Sequence, residues 1–429
     1  MVRRVLFAVI SAILVLSFEL SSCINYESTS EPITITFAFP ESPDRRRYRE
    51  IADSFEKIHP SITINLRPDP TGQWARNERN EVDVFLWWPD QSLIDGDKPL
   101  ITPVESLIKH NSEINSDDFF PPTLDMFTWR GSLWALPAEI DMQVIFFNKG
   151  LFDLNCVEYP QAGWTWDDLL ETAQKLTVTD EEAGSENGYY GLVSNPRWGD
   201  YISFIYQHGS DILATDDPRT AEAIQWYADL TLVHKVMPEP NQVFYGDTYG
   251  YFREEKAAMW IGFLADRDGQ GFHHLASPWE FKWGLAPLPK DRLEATLYRA
   301  QGYYLTAHTK HVNESLEWIK FLSSNTSGKG LPARRSVAES SRFYAMVGED
   351  VASTGLHAVD HLVPRINESN TTPDLLEKYS RTVESVVNDG NRIGFFSQPE
   401  FLRLFAIKVE SVIKGEITAA EVMQYLNQK

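Results

Sequence analysis

Asp90 and Asp141 are the carboxylates whose surroundings point to chemistry. Asp90 follows Trp87, Trp88 and Pro89 at the end of an apolar run, and Asp141 stands among apolar residues with Glu139 two positions before it. Two carboxylates at a fixed separation in one pocket are what glycoside hydrolysis needs. A carboxylate beside an indole also holds a sugar without cutting it. Sugars offer an apolar C–H face for stacking and hydroxyls for planar polar groups. Other catalytic patterns are missing: the chain has no G-x-S-x-G elbow, no P-loop, no G-x-G-x-x-G and no H-E-x-x-H. Asp266–Gly271 follows a calcium loop only in outline, since Gln270 takes the fifth position and Ser277 stands where a bidentate Glu belongs. His273 and His274 are adjacent, a poor spacing for one metal, so neither a metal site nor a cofactor is expected.

The elements that must position these residues alternate along the chain. Ile33–Phe39 reads as a strand that breaks at Pro40, and Arg45–His59 as a helix with Tyr48, Ile51, Ala52, Phe55 and Ile58 on one face. Ile62–Leu66 and Val84–Trp87 are further strands, as are Trp134–Pro137, Gln143–Phe147, Gly284–Leu288 and Tyr303–Ala307. Thr165 with Asp168 makes a capping box ahead of Leu169, Leu170, Ala173 and Leu176. Asp217-Pro218 opens another helix, Asn313–Leu322 forms one more, and Glu400–Lys414 is an amphipathic helix closed by Gly415. Strands separated by helices predict an α/β fold with mainly parallel sheets.

Composition narrows the class. At 429 residues, two or three domains with real cores are expected. Thirteen Trp, 17 Tyr and 24 Phe must serve either as core or as ligand faces. A formal charge of −22 disfavours nucleic acid as a partner. Met1–Cys23 reads as a secretory signal: Arg3 and Arg4 precede the apolar run Val5–Phe18, which is short for a membrane span. Leu20-Ser21-Ser22-Cys23 resembles a bacterial lipobox, which makes Cys23 the lipidated first residue of a chain with about −23 charges. Cys156 is the only other cysteine, so no disulfide framework is expected. Residues 23–32 are short and polar, as a tether would be, and no later segment is apolar enough to span a bilayer.

Several segments, in order from Ile33 to the C-terminus, carry a family resemblance. Phe55-Glu56-Lys57-Ile58-His59-Pro60 is similar to an F-E-K-x-x-P helix end, and Asp83-Val84-Phe85-Leu86-Trp87 to a D-[VIL]-x-x-W strand. Leu136-Pro137 with Phe147-Asn148-Lys149 resembles a P…N-K crossover, and Trp164–Leu169 a T-W-D-E-L helix start. Phe252–Met259 matches F-x-x-G-K-A-A-M except that Glu255 replaces Gly, and Gly284–Pro289 and Gly302-Tyr303-Tyr304 complete the set. Together these resemble the extracellular solute-binding proteins of sugar ABC transporters.

That resemblance implies a two-lobed, type II periplasmic-binding-protein-like fold, each lobe a mainly parallel sheet flanked by helices. Lobe 1 would comprise 33–140 plus about 303–365, and lobe 2 141–302 plus about 366–429, after a signal peptide over 1–22. Crossovers are expected near Ala138–Gln143 and Arg299–Gly302. The implied ligand residues are Glu41, Trp87, Trp88, Asp90, Asp141, Trp198, Phe263, Tyr303 and Tyr304. Trp260 is expected in the core. Paired tyrosines also occur in ferric-ion binders, a reading that needs His or carboxylate ligands beside them and explains none of the tryptophans. The implied function is a lipid-anchored, monomeric receptor at the extracytoplasmic surface that captures a sugar or other small solute and delivers it to a membrane permease. A sensory binding protein and a surface-anchored glycoside hydrolase are the alternatives.

Overall fold

Residues 32–40, 45–68, 81–90, 93–94, 99–109, 114–179, 188–196, 199–212, 214–243, 247–269, 278–363 and 400–427 are described by a computed structural model. The expected signal, tether and Cys23, together with Glu41, Trp198, His273 and His274, lie outside the described residues.

In the first half of the fold, β1 (Ile33–Phe39) runs parallel to both β2 (Ile62–Pro68) and β3 (Val84–Trp87). The helix Arg45–Ile58 covers them with Tyr48, Ile51, Ala52 and Phe55 of the face its periodicity predicts, whereas Ile58, its last residue, is 62% exposed. Glu56 fastens that helix to β2 by accepting from Ile64 N–H at 2.7 Å and Arg49 Nη2 at 2.9 Å. Short β4 (Ile101–Thr102) and the hairpin of β5 (Thr128–Trp129) and β6 (Ser132–Leu133) lead into β7 (Ala135–Asn148).

The 14-residue β7 ties the two halves together. β8 (Tyr190–Val193) runs parallel to β9 (Ala257–Phe263), and β9 pairs antiparallel with the far end of β7, Gln143 opposite Phe263. β10 (Trp283–Ala286) pairs antiparallel with the same end of β7. The near end of β7 lies against β11 (Tyr298–Thr306), which also pairs with β3 and β4, and against β12 (Leu331–Pro332). The result is one ten-stranded sheet whose main path is β2-β1-β3-β11-β7-β9-β8. It is mixed, not mainly parallel as expected. β7 and β11 run antiparallel to each other, and to every described strand beside them, so parallel pairing survives only among β1, β2 and β3 and between β8 and β9.

Gly302 marks the register shift in β11. A Cβ there would lie 2.8 Å from the Phe127 ring and 2.9 Å from Ala135 Cβ, so the glycine admits a neighbour and the strand runs straight on into Tyr303 and Tyr304.

Two cores lie against this sheet. One gathers Phe37, Phe55, Trp318 and Leu331 and continues into an aromatic box of Phe146, Tyr249, Phe252, Trp260 and Trp279. The other joins Leu169, Phe204, Ile224 and Tyr227 to Phe405, Val409, Val422 and Met423 of the last two helices. Many of the aromatics are thus core. Trp260 is buried as expected, stacked on Phe146 at 5.2 Å. The capping box of Thr165 and Asp168 forms, and holds Asp168 below the usual carboxylate range through hydrogen bonds from Thr165.

Helix Trp166–Leu176 presses directly on β8, where a Cβ on Gly191 would stand 2.0 Å from Ala173 O. Gly191→Ala should therefore lower the urea midpoint by the equivalent of about 1–3 kcal/mol, since backbone has to move to admit the methyl group. An unchanged midpoint would mean that the helix does not sit so close.

Candidate ligand-binding site

The strand ends between the two halves bring several of the candidate residues together. Asp141 and Arg299 are direct partners across β7 and β11, and both are buried. Arg299 donates to Asp141 Oδ2 from Nε at 2.7 Å and Nη2 at 2.6 Å, and lies 3.3 Å from Asp266 Oδ1. The other Asp141 oxygen accepts from Ala265 N–H at 2.7 Å. Burial pushes the Asp141 carboxyl up to about 6, with Arg299 pulling against it and Asp266 adding to the push.

Two aromatic rings converge on the guanidinium. Its carbon lies 4.0 Å from the Phe263 ring centroid, at the end of β9, and 5.5 Å from that of Trp88, just past β3. Tyr304 positions the Trp88 backbone by donating from its hydroxyl to Trp88 O at 3.0 Å. Trp87, Trp88 and Asp90 are half-buried. Trp87 packs against the first core and stands opposite Gly302 in the β3–β11 ladder.

The candidates therefore divide. Trp88, Asp141 and Phe263 meet at one place, with Trp87 and Asp90 on the adjoining strand end. Asp141, expected to face a ligand, instead engages Arg299 and Ala265 with its two oxygens. Tyr303 and Tyr304 differ from expectation outright, because β11 is a central strand covered on both faces. Tyr303 is 2% exposed with its ring 6.2 Å from Phe37, and burial raises its hydroxyl well above the usual tyrosine range. Tyr304 is equally buried, stacked on Phe85 at 5.0 Å.

Glu139 is also committed, and its task is to hold a loop. It accepts from Thr326 Oγ1 at 2.7 Å, from Ser327 N–H at 2.8 Å and from Gly330 N–H at 3.2 Å. Arg267 holds the same loop through the carbonyls of Gly328 and Lys329. Reading the sequence missed Arg299 and Asp266 as the partners of Asp141. The available signal was an arginine inside an apolar strand, which needs a carboxylate when buried.

A profile of the bacterial extracellular solute-binding proteins matches residues 40–329. The chain belongs to this family. It is similar to the mannitol-binding protein of Pseudomonas aeruginosa, 23% identical over 292 residues, which cover 59% of this chain and 64% of that protein. It is similar also to the arabinooligosaccharide-binding protein of Halalkalibacterium halodurans, 22% identical over 65% of this chain and 67% of that one. Among solved structures it resembles the ABC substrate-binding protein Lmo0181 from Listeria monocytogenes in complex with cycloalternan. The TM-score is 0.67 at 18% identity, over 92% of this chain and 97% of that one. The fold is thus that of the two-lobed, type II periplasmic binding proteins, and the family is one of binding proteins and not of enzymes.

Within the solute-binding family, this member's departure at Glu255 has a backbone explanation. Glu255 adopts φ 58°, a left-handed conformation that glycine takes without strain. Here a hydrogen bond to its carboxylate from Asn148 Nδ2, at 2.8 Å, helps to hold the turn. Asn148 also caps the next helix, accepting from Gly150 N–H at 2.9 Å, so the N-K motif and the altered signature are physically joined. No helix among the described residues is long and apolar enough to cross a membrane.

Proposed function

We propose that this binding protein captures a neutral polyhydroxyl solute, a sugar alcohol, sugar or oligosaccharide, and delivers it to an ABC permease. The observation that carries this reading is the convergence of Trp88 and Phe263 on a guanidinium already neutralised by two buried carboxylates. A half-buried indole offers the apolar face of a sugar ring a platform, and Asp90 beside it can accept from hydroxyls. Anionic ligands fit poorly. Arg299 is paired internally, and Arg334 is held by Asp118 at 2.8 Å.

The binding names of the mannitol and arabinooligosaccharide relatives support the polyhydroxyl class. The mechanism is lobe closure: residues 33–140 with about 303–365 form one lobe and 141–302 with about 366–429 the other. β7 and β11 serve as crossovers, and a ligand that binds the closed state better shifts the population toward it. Lipid at Cys23 keeps the receptor at the extracytoplasmic surface.

A thermal-shift panel on the purified full chain in mild detergent tests this. It would cover mannitol and other polyols, mono- and oligosaccharides, with polyamines, glycerol phosphodiesters and ferric iron as controls. A ligand at a hundred times its Kd adds about 2.7 kcal/mol of stability, a visible rise in Tm. Trp88→Ala is expected to weaken a polyol or sugar hit at least about tenfold, or roughly 1.4 kcal/mol, while leaving the ligand-free Tm near its starting value. A response confined to the charged controls would overturn the ligand class and leave the fold intact.

A further inference from the structure

Away from the candidate ligand site, Glu294, His357 and His361 bring three donor atoms within 4.8 Å of one another. Glu294 lies in the stretch between β10 and β11. His357 sits in the last turn of helix Glu349–Val359 and His361 just past its C-cap, Asp360, where the turn brings the two rings together. Both Nε2 atoms approach one carboxylate oxygen, Glu294 Oε2, at 2.9 Å and 3.1 Å, and the ring centroids are 5.1 Å apart. The side chains retain 24–35% of their exposure, so an ion has access from solvent. Lys290 Nζ lies 3.8 Å from the other oxygen, Oε1.

We propose that these three residues form a binding site for a zinc-class divalent transition metal. Two imidazoles and one carboxylate are a donor set that such ions take, with a fourth tetrahedral position open to water. Donors at about 2.0–2.1 Å from a tetrahedral zinc stand about 3.3 Å apart; the two imidazole–carboxylate distances are already close to that, and side-chain rotation closes the third, which is within 4.8 Å. Hard ions such as Mg²⁺ and Ca²⁺ prefer oxygen-only shells and fit poorly.

The position gives the site a mechanical consequence. Thr296, two residues after Glu294, donates its N–H to His361 O at 2.8 Å, and its carbonyl accepts from Val363 N–H at 3.0 Å. A bound metal would therefore pin the end of this helix to the segment leading into β11, the strand that carries Arg299.

The full chain, stripped with a chelator and dialysed, would be titrated with CoCl₂ and then ZnCl₂. One equivalent of cobalt giving visible absorption bands, displaced by one equivalent of zinc, is the expected result. Zinc should raise Tm by several degrees where Mg²⁺ does not. His361→Ala and Glu294→Gln should each weaken zinc binding at least tenfold, and His308→Ala, at an exposed turn, should leave it unchanged. No stoichiometric cobalt spectrum in the unaltered chain would overturn the proposal, whatever the variants do. So would zinc binding that survives both variants with their metal-free Tm intact, or a shift that Mg²⁺ reproduces, since those mark diffuse attraction to an acidic surface.

Discussion

Replacing Arg299 with Met should cost the folded protein about 3–5 kcal/mol, because it leaves two buried carboxylates facing each other without a cation. Asp141 is 5% exposed and Asp266 4%, so water cannot take over the role of the guanidinium. Ala265 N–H would still donate to Asp141, but the two anions would repel at close range. Removing the charges together should be far milder. Arg299→Met combined with Asp141→Asn and Asp266→Asn takes away the desolvation cost along with the attraction, and recovery of most of the lost stability is expected. Urea midpoints of the single, double and triple variants at pH 7 measure this. The single variant should also lose less at pH 5 than at pH 7, because Asp141, already raised to about 6, can then take up a proton. A single-variant loss below about 1 kcal/mol, the range of exposed pairs, would mean that the cluster is not dry.

Local patterns carried much of the fold. The buried face of helix Arg45–Ile58, the capping box at Thr165 and the strand ending in Trp87 are set by neighbours within a few residues, so periodicity and spacing reveal them. Pairing over long separations is another matter. Arg299 meets Asp141 across 158 positions, and His357 meets Glu294 across 63, because the register of β11 and the docking of a helix place them there. Nothing local to an acid says whether its partner is a ligand hydroxyl or an arginine from a distant strand. Tyr303 and Tyr304 illustrate the same limit in aromatic residues. Alternation along a strand separates two faces, but in a central strand both faces are interior, and only the neighbours β3 and β7 reveal that. Trp88 and Phe263 could be singled out because one follows a strand and the other ends one, the place where an α/β fold opens to ligand, although Phe263 is itself buried.

Lowering the pH from 8 to 5 should stabilise this protein, by about 2–3 kcal/mol from Asp200 alone. Asp200 begins helix Asp200–Gln207 and is 3% exposed. It accepts from Asn195 N–H at 2.6 Å, Ser194 Oγ at 2.8 Å and Gln143 Nε2 at 2.7 Å. Those donors are neutral and only partly offset burial, which pushes the carboxyl up to about 7 from 3.8. Between those two values the folded chain binds a proton that the unfolded chain does not, so stability falls as pH rises through about 7. Asp141, raised to about 6, acts in the same direction, whereas the depressed acids such as Asp217 change stability only below the usual carboxylate range. The proton has somewhere to point: Ser194 Oγ lies 2.6 Å from Tyr227 OH and can turn its own hydrogen that way while accepting from a protonated Asp200. Gln143 carries the effect into β7, and its Oε1 accepts from Ser203 Oγ, which in turn accepts from Leu297 N–H beside β11. Asp200→Asn cannot ionise, so its urea midpoint should vary far less between pH 5 and pH 8 than that of the unaltered chain. If the variant kept the full slope, Asp200 would not be the group taking up the proton, and the dependence would have to come from Asp141 and its neighbours.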